Sequence, residues 1–123
     1  MKTFHNEEIY IKTDNFSDSI FKENTMFFDI ETTGFSPVKA IVYMIGCARR
    51  IKNRIVIDQY FAESVDDEAA VIEAFAGSLS GCSTIISFNG VGFDIPFLKN
   101  KYKKYKQEIA VLILYIESKL GLH

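Results

Sequence analysis

Two carboxylates with one residue between them, Asp29 and Glu31, lie in the stretch Phe28-Asp29-Ile30-Glu31-Thr32-Thr33-Gly34. On a strand, residues two apart share a face, so Asp29 and Glu31 project together while Phe28 and Ile30 take the other side. Held side by side, the two carboxylates repel. The pair becomes favourable with a divalent cation between or beside it, and hard cations such as Mg²⁺ and Mn²⁺ prefer oxygen ligands. A D-x-E pair alone is a weak signal, because solvated strand surfaces also carry it. Here Met26, Phe27 and Phe28 precede it. That apolar run predicts a central strand, where unpartnered acids cost free energy.

A second constellation is Ser87-Phe88-Asn89-Gly90-Val91-Gly92-Phe93-Asp94-Ile95-Pro96-Phe97-Leu98. It follows an apolar run of strand length and opens a helix. Asp94 then has two readings, a cap on the helix N-terminus or a third carboxylate of the cation site. Lys99, Lys101, Lys103, Lys104 and Lys106 come next. They would meet phosphates of an incoming strand or form the solvated face of a helix. The formal net charge of −2 supplies no global positive field. A polyanion must therefore be held by a local basic patch or by bound metal ions.

These residues need a scaffold. Residues 26–31 predict a strand followed by a Thr-Thr-Gly turn. Residues 40–51 and 54–62 predict a hairpin with Asn53 at its turn. Ala69, Ile72, Phe75, Ala76 and Leu79 recur at helical spacing over 68–79, with Asp66 and Asp67 at the N-terminal end and Gly81 as a stop. Residues 83–88 predict a strand, and 93–104 a helix that accepts Pro96 in its first turn. Residues 109–116 fit a last strand or a short buried helix. The order predicts an α/β fold: a mixed sheet, three antiparallel strands then parallel strands, flanked by helices. Residues 1–24 are polar and mixed and read as an arm, leaving 25–123 as the domain.

With 123 residues, 48% of them apolar, the chain suits one core and not a disordered segment. Cys47 and Cys82 form no C-x-x-C pair and read as two buried thiols. The first 20 residues show no signal-peptide pattern. No apolar run approaches the roughly 20 residues that span a bilayer. A cytoplasmic protein without a membrane partner is the expectation. His5 suggests no role.

Together the two motifs resemble the DEDD superfamily of 3′–5′ exonucleases, which share the ribonuclease H-like fold. Its first motif is D-x-E with a Thr-Gly turn, matched by Asp29, Glu31, Thr32, Thr33 and Gly34. Its second is Asn followed five residues later by Asp, matched by Asn89 and Asp94. The string NGVGFDIPFL resembles a bacterial branch of predicted exonucleases of the YprB type. The resemblance covers about residues 25–102. It implies two-metal hydrolysis of phosphodiester bonds at single-stranded nucleic-acid ends, with Mg²⁺ or Mn²⁺ as cofactor. By that resemblance Asp29 bridges both ions, Glu31 helps hold the ion that activates water, and Asp94 faces the second. Thr32, Thr33, Asn89 and Phe93 are the implied substrate-binding residues, with Asn89 tying the motif loops together. Lys99, Lys101 and Lys103 are the candidate phosphate contacts.

The family's third motif, H-x-x-x-x-D or Y-x-x-x-D, supplies a fourth carboxylate and the base for the attacking water. No Asp follows Asp94, Tyr115 is followed four residues later by Lys119, and the late acids are Glu108 and Glu117. The ending resembles a helix-and-Gly stop ahead of that motif, so the expectation is a domain lacking its C-terminal part and weak as an exonuclease alone. Glu117, or a second chain in a homodimer, would be the sources of the missing acid. The competing expectation is a catalytically impaired domain of the same fold that binds nucleic acid or a protein partner. A purely structural domain would require both motif matches to be coincidence.

Overall fold

A computed structural model of the chain describes residues 1–11, 19–87 and 93–105. Among the described residues five strands form one sheet: β1 (Lys2–Ile9), β2 (Thr25–Thr32), β3 (Val42–Ile51), β4 (Arg54–Phe61) and β5 (Thr84–Ser87). The α-helices among them, α1 (Glu68–Ser78) and α2 (Ile95–Lys104), follow β4 and β5 respectively. The sheet order is β1-β4-β3-β2-β5. The first four neighbours pair antiparallel, and β5 runs parallel to β2. This is the mixed α/β sheet predicted from the sequence. The expected last element at 109–116 lies outside the described residues.

Period-two alternation explains β2. Met26, Phe28 and Ile30 are buried, Asp29 is half-buried and Glu31 exposed. The apolar set meets Val71, Ile72, Phe75 and Ala76 of α1 and Phe97, Leu98 and Tyr102 of α2 in one core. Phe28 packs on Phe75 with ring centroids 5.0 Å apart. Asp29 and Glu31 therefore share the sheet face away from that contact, as does Phe27, whose ring meets Phe21 edge-on. The β3–β4 hairpin turns at Lys52 and Asn53, with Lys52 at φ 55°. Gly81 (φ 79°) reverses the chain after α1, a left-handed conformation that suits glycine.

The pairing of β2 with β3 slips after Glu31. Glu31 lies opposite Met44, but Thr32 lies opposite Val42, so Tyr43 is an extra residue. Such bulges bend a strand and re-aim its side chains. Here the bulge begins at the end of the D-x-E motif.

The segment expected to be a polar arm contains β1, which pairs with β4 along its whole length. All eight of its residues are exposed, so no apolar alternation announces it. His5, for which the sequence suggests no role, sits on β1 opposite Asp58. Its Nδ1 lies 2.6 Å from Asp58 Oδ1, and Arg49 Nη2 donates to Asp58 Oδ2 at 3.1 Å. Asp58 is buried, and the Arg49 guanidinium, joined by His5 when that ring is protonated, offsets the cost of burying its charge. Asp58, and secondarily Glu7, raise the pKa of His5.

Cys47 and Cys82 are both buried and not joined in a disulfide, as expected. Burial pushes the Cys47 thiol up to about 11.

Candidate functional site

Parallel pairing places Ser87, the last residue of β5, opposite Phe28, one residue before Asp29. The chain after β5 returns as Phe93 and Asp94 and enters α2. Asp94 occupies the helix N-cap position, yet its backbone is already helical and its side chain makes no capping hydrogen bond. The capping reading of Asp94 is therefore not the observed one. Its carboxylate is buried, at 1% exposure, and accepts the Ser87 hydroxyl. Burial is the main cause of its raised pKa, the Ser87 hydrogen bond opposes the rise, and the negative charges of Asp29 and Glu31 add to it. The three carboxylates thus lie at one end of the β2–β5 pair, close enough for Asp94 to respond to the other two.

Among the described residues no three His, Cys, Asp or Glu side chains stand in ready-made metal-holding geometry. The chemistry of the three carboxylates nonetheless fits a hard divalent cation, which takes carboxylate oxygens. Such an ion would relieve the two effects that raise the Asp94 pKa, desolvation and like charge.

The turn after β2 is tied by its threonines. Thr32 Oγ1 donates to the Gly34 carbonyl at 2.6 Å. Thr33 exchanges two hydrogen bonds with Ile41: its N–H donates to the Ile41 carbonyl, and its Oγ1 accepts the Ile41 N–H, both at 2.9 Å. Thr32 spends its proton on the turn, whereas Thr33 keeps a hydroxyl proton to donate elsewhere. Phe93 is half-buried against Phe97, and its ring also meets Phe35 at 6.3 Å edge-on. Phe35 is 91% exposed. An exposed aromatic held against Phe93, the residue before Asp94, had a signal in the sequence in its place directly after the Thr-Thr-Gly turn. Asn89 lies outside the described residues.

The lysine cluster divides. Lys99 and Lys103 are exposed, as a phosphate contact requires. Lys101 is not: it is 0% exposed, and its Nζ donates to the Ala40 carbonyl at 2.6 Å. Its assignment as a phosphate contact is therefore corrected to an internal role. The available signal was its position in the stripe Phe97, Leu98, Lys101, Tyr102 and Tyr105, the inward face of α2 at helical spacing. Lys106 lies outside the described residues, as do Glu108, Tyr115, Glu117 and Lys119.

A D-x-E strand beside a parallel strand that delivers a buried Asp is the arrangement against which known proteins can be compared. A family model for the RNase H superfamily matches residues 26–120. The chain belongs to the RNase H superfamily. The superfamily match supports a nuclease-type, nucleic-acid-related fold, one whose nucleases generally use divalent metals. The chain is also similar to the uncharacterized protein YprB of Bacillus subtilis (strain 168), with 26% identity over 92 residues. That match covers 74% of this chain and 22% of YprB, so the chain spans about a fifth of this relative's length. No solved structure matches. Among the described residues no helix is long and apolar enough to cross a membrane.

Proposed function

We propose that residues 25–123 form a divalent-metal-dependent 3′–5′ exonuclease domain of the DEDD type, acting on single-stranded nucleic-acid ends in the cytoplasm. The observation that carries this reading is Asp94. It is buried and uncapped, and its pKa is raised in part by Asp29 and Glu31. A structural aspartate at a helix start would instead turn its oxygen to the backbone N–H groups. In this reading Asp29, Glu31 and Asp94 hold Mg²⁺ or Mn²⁺. When bound, the metal supplies Lewis-acid stabilisation and a more acidic water.

The chain's own groups divide the remaining work. Ser87 donates to one oxygen of Asp94, and the other oxygen is the one we assign to the ion. Thr33 offers its hydroxyl proton to the terminal nucleotide. Phe35 and Phe93 offer ring faces and edges to the last base, because aromatic stacking tolerates any base and suits single strands. Lys99 and Lys103 meet backbone phosphates as point charges. The third-motif carboxylate and base have no counterpart among the described residues. A general base commonly contributes about 10²–10⁴-fold, so the chain by itself trims slowly.

The test is digestion of a 5′-labelled single-stranded oligonucleotide with Mn²⁺, using Asp29→Asn as the control. Slow 3′-end trimming that disappears in Asp29→Asn is the expected outcome. Binding of the oligonucleotide with no Asp29-dependent trimming would replace the proposal with a non-catalytic nucleic-acid-binding domain. Fast processive trimming would reveal a fourth ligand within the chain or from a second copy.

A further inference from the structure

The pair Glu68 and Lys101 has no part in the chemistry above, yet it joins the segments that carry that chemistry. Both side chains are 1% exposed, with Lys101 Nζ 3.2 Å from Glu68 Oε2. Lys101 Nζ also donates to the Ala40 carbonyl at 2.6 Å. Glu68 Oε2 accepts the Val42 N–H at 2.6 Å, and Glu68 Oε1 accepts the Tyr105 hydroxyl. One carboxylate and one ammonium thus link the first turn of α1, the last turn of α2 and residues 40–42 at the entry to β3.

Each arm of this link leads to a motif. Ile41 makes the two hydrogen bonds to Thr33, and Val42 lies opposite Thr32 beyond the bulge. Holding 40–42 therefore holds the turn that directly follows Glu31. On the other arm, Lys101 lies seven residues after Asp94. Seven residues make almost two full turns, so both lie on the same side of the helix, about 10 Å apart along its axis. A rigid helix passes any displacement of Lys101 on to Asp94.

We propose that Glu68 and Lys101 are positioning residues, a clasp that sets where Asp94 stands relative to Asp29 and Glu31 and so sets the site's affinity for a divalent cation. This inference rests on the metal-site reading given above. Stability alone is a poor account of such a pair, because replacing a buried ion pair with apolar groups of similar volume is often neutral or stabilising. Directionality is the better account. A carboxylate with two hydrogen-bond donors and an ammonium admits few arrangements, whereas an apolar contact slides.

The test is titration with Mn²⁺ alone, followed by calorimetry or electron paramagnetic resonance, on the wild type, Asp29→Asn and the double variant Glu68→Gln/Lys101→Met. Melting curves accompany each titration. Wild type is expected to bind Mn²⁺ and Asp29→Asn to lose that binding. The double variant is expected to melt close to wild type but bind Mn²⁺ roughly 10-fold more weakly or worse, the scale of outer-shell effects on metal sites. Faster hydrogen exchange at the Ile41 amide should accompany the loss. Unchanged Mn²⁺ affinity in the double variant overturns the clasp and leaves the metal site standing. Equal binding by wild type and Asp29→Asn, or none by either, overturns the metal site and the clasp with it. If the double variant does not fold, Tyr105→Phe is read by the same titration. It removes one donor to Glu68 and should weaken binding measurably, toward the roughly 10-fold lower end of such effects. Wild-type affinity there overturns the clasp.

Discussion

Replacing Lys101 alone with methionine removes the buried ammonium partner of Glu68 and leaves it, among the described residues, only the longer, solvent-exposed ammonium contact to Lys104 Nζ at 3.9 Å. Glu68 and Lys101 are each 1% exposed and 3.2 Å apart, so bulk water screens them little. At that separation and an effective dielectric of about 20, the attraction lost is about 5 kcal/mol. Breaking a buried pair by removing one member costs about 3–5 kcal/mol in general, which agrees. The Ala40 carbonyl also loses its ammonium donor, while Val42, Tyr105 and the more distant Lys104 ammonium still satisfy Glu68 in part. Total stabilities of about 5–15 kcal/mol are usual, so the variant should stand near its folding limit. With about 4 °C lost per kcal/mol in a domain of this size, melting should fall by roughly 12–20 °C. Urea unfolding followed by circular dichroism gives the free energy directly. Because the pair is buried, the deficit should barely change between about 0.05 and 0.5 M salt. A loss below about 1 kcal/mol, the range of exposed pairs, would refute the reasoning from burial.

Asp94→Asn should melt higher than wild type at neutral pH with chelator present. The folded-state pKa of Asp94 is raised, mainly by burial, so its favourable contribution exists below the unfolded value and is lost as pH rises through the folded one. The advantage of the Asp94→Asn variant should therefore vanish as pH falls below the ordinary carboxylate value of 3.8; a lower melting temperature at neutral pH would mean that Asp94 is structural. Phe35→Ala should leave stability within about 0.5 kcal/mol, as at other exposed positions. It should weaken single-stranded oligonucleotide binding by about 1–3 kcal/mol, the worth of one stacked base, as read by fluorescence anisotropy. His5→Gln should destabilise the protein in acid and not in alkali. Asp58 raises the His5 pKa, so the imidazolium contribution is present below 6.5 and fades as pH rises through the folded value. Melting curves at about pH 6 and about pH 9 check this switch.

The D-x-E motif was legible because a strand's period of two is strict: once Met26, Phe28 and Ile30 face the core, Asp29 and Glu31 have one place to go. The helices were legible from their apolar spacing. Asp94 was not, because capping and metal binding call for the same residue at the same point. What argues against capping is that the Asp94 side chain makes no cap hydrogen bond and accepts the Ser87 hydroxyl, which follows from the parallel pairing of β5 with β2. Lys101 is easily misread because closely spaced lysines look alike in sequence, whereas this one falls on the inward stripe of α2. Glu68 stands in the same relation to Val71, Ile72, Phe75 and Leu79 of α1 and its C-cap. A charge of each sign on two facing apolar stripes was a readable hint of a buried pair. The His5–Asp58 contact joins residues 53 apart in sequence and had no local signature. Strand β1 was hidden for a related reason: an edge strand exposed at every residue has no alternation to detect.

The family match begins at residue 26, and a version of the protein trimmed to that boundary would lose β1. The cost would fall on the strand left behind. β4 reads Arg-Ile-Val-Ile-Asp-Gln-Tyr-Phe, rich in the β-branched and aromatic residues that favour pairing. Its outer row of N–H and C=O groups is now satisfied by β1 over eight residues. Bared, that row becomes a template for edge-to-edge association between molecules. The charged side chains of Lys2, Glu7 and Glu8 now present the sheet's outermost edge to water and discourage such stacking. The polarity that makes the first residues look expendable is what guards this sheet against self-assembly.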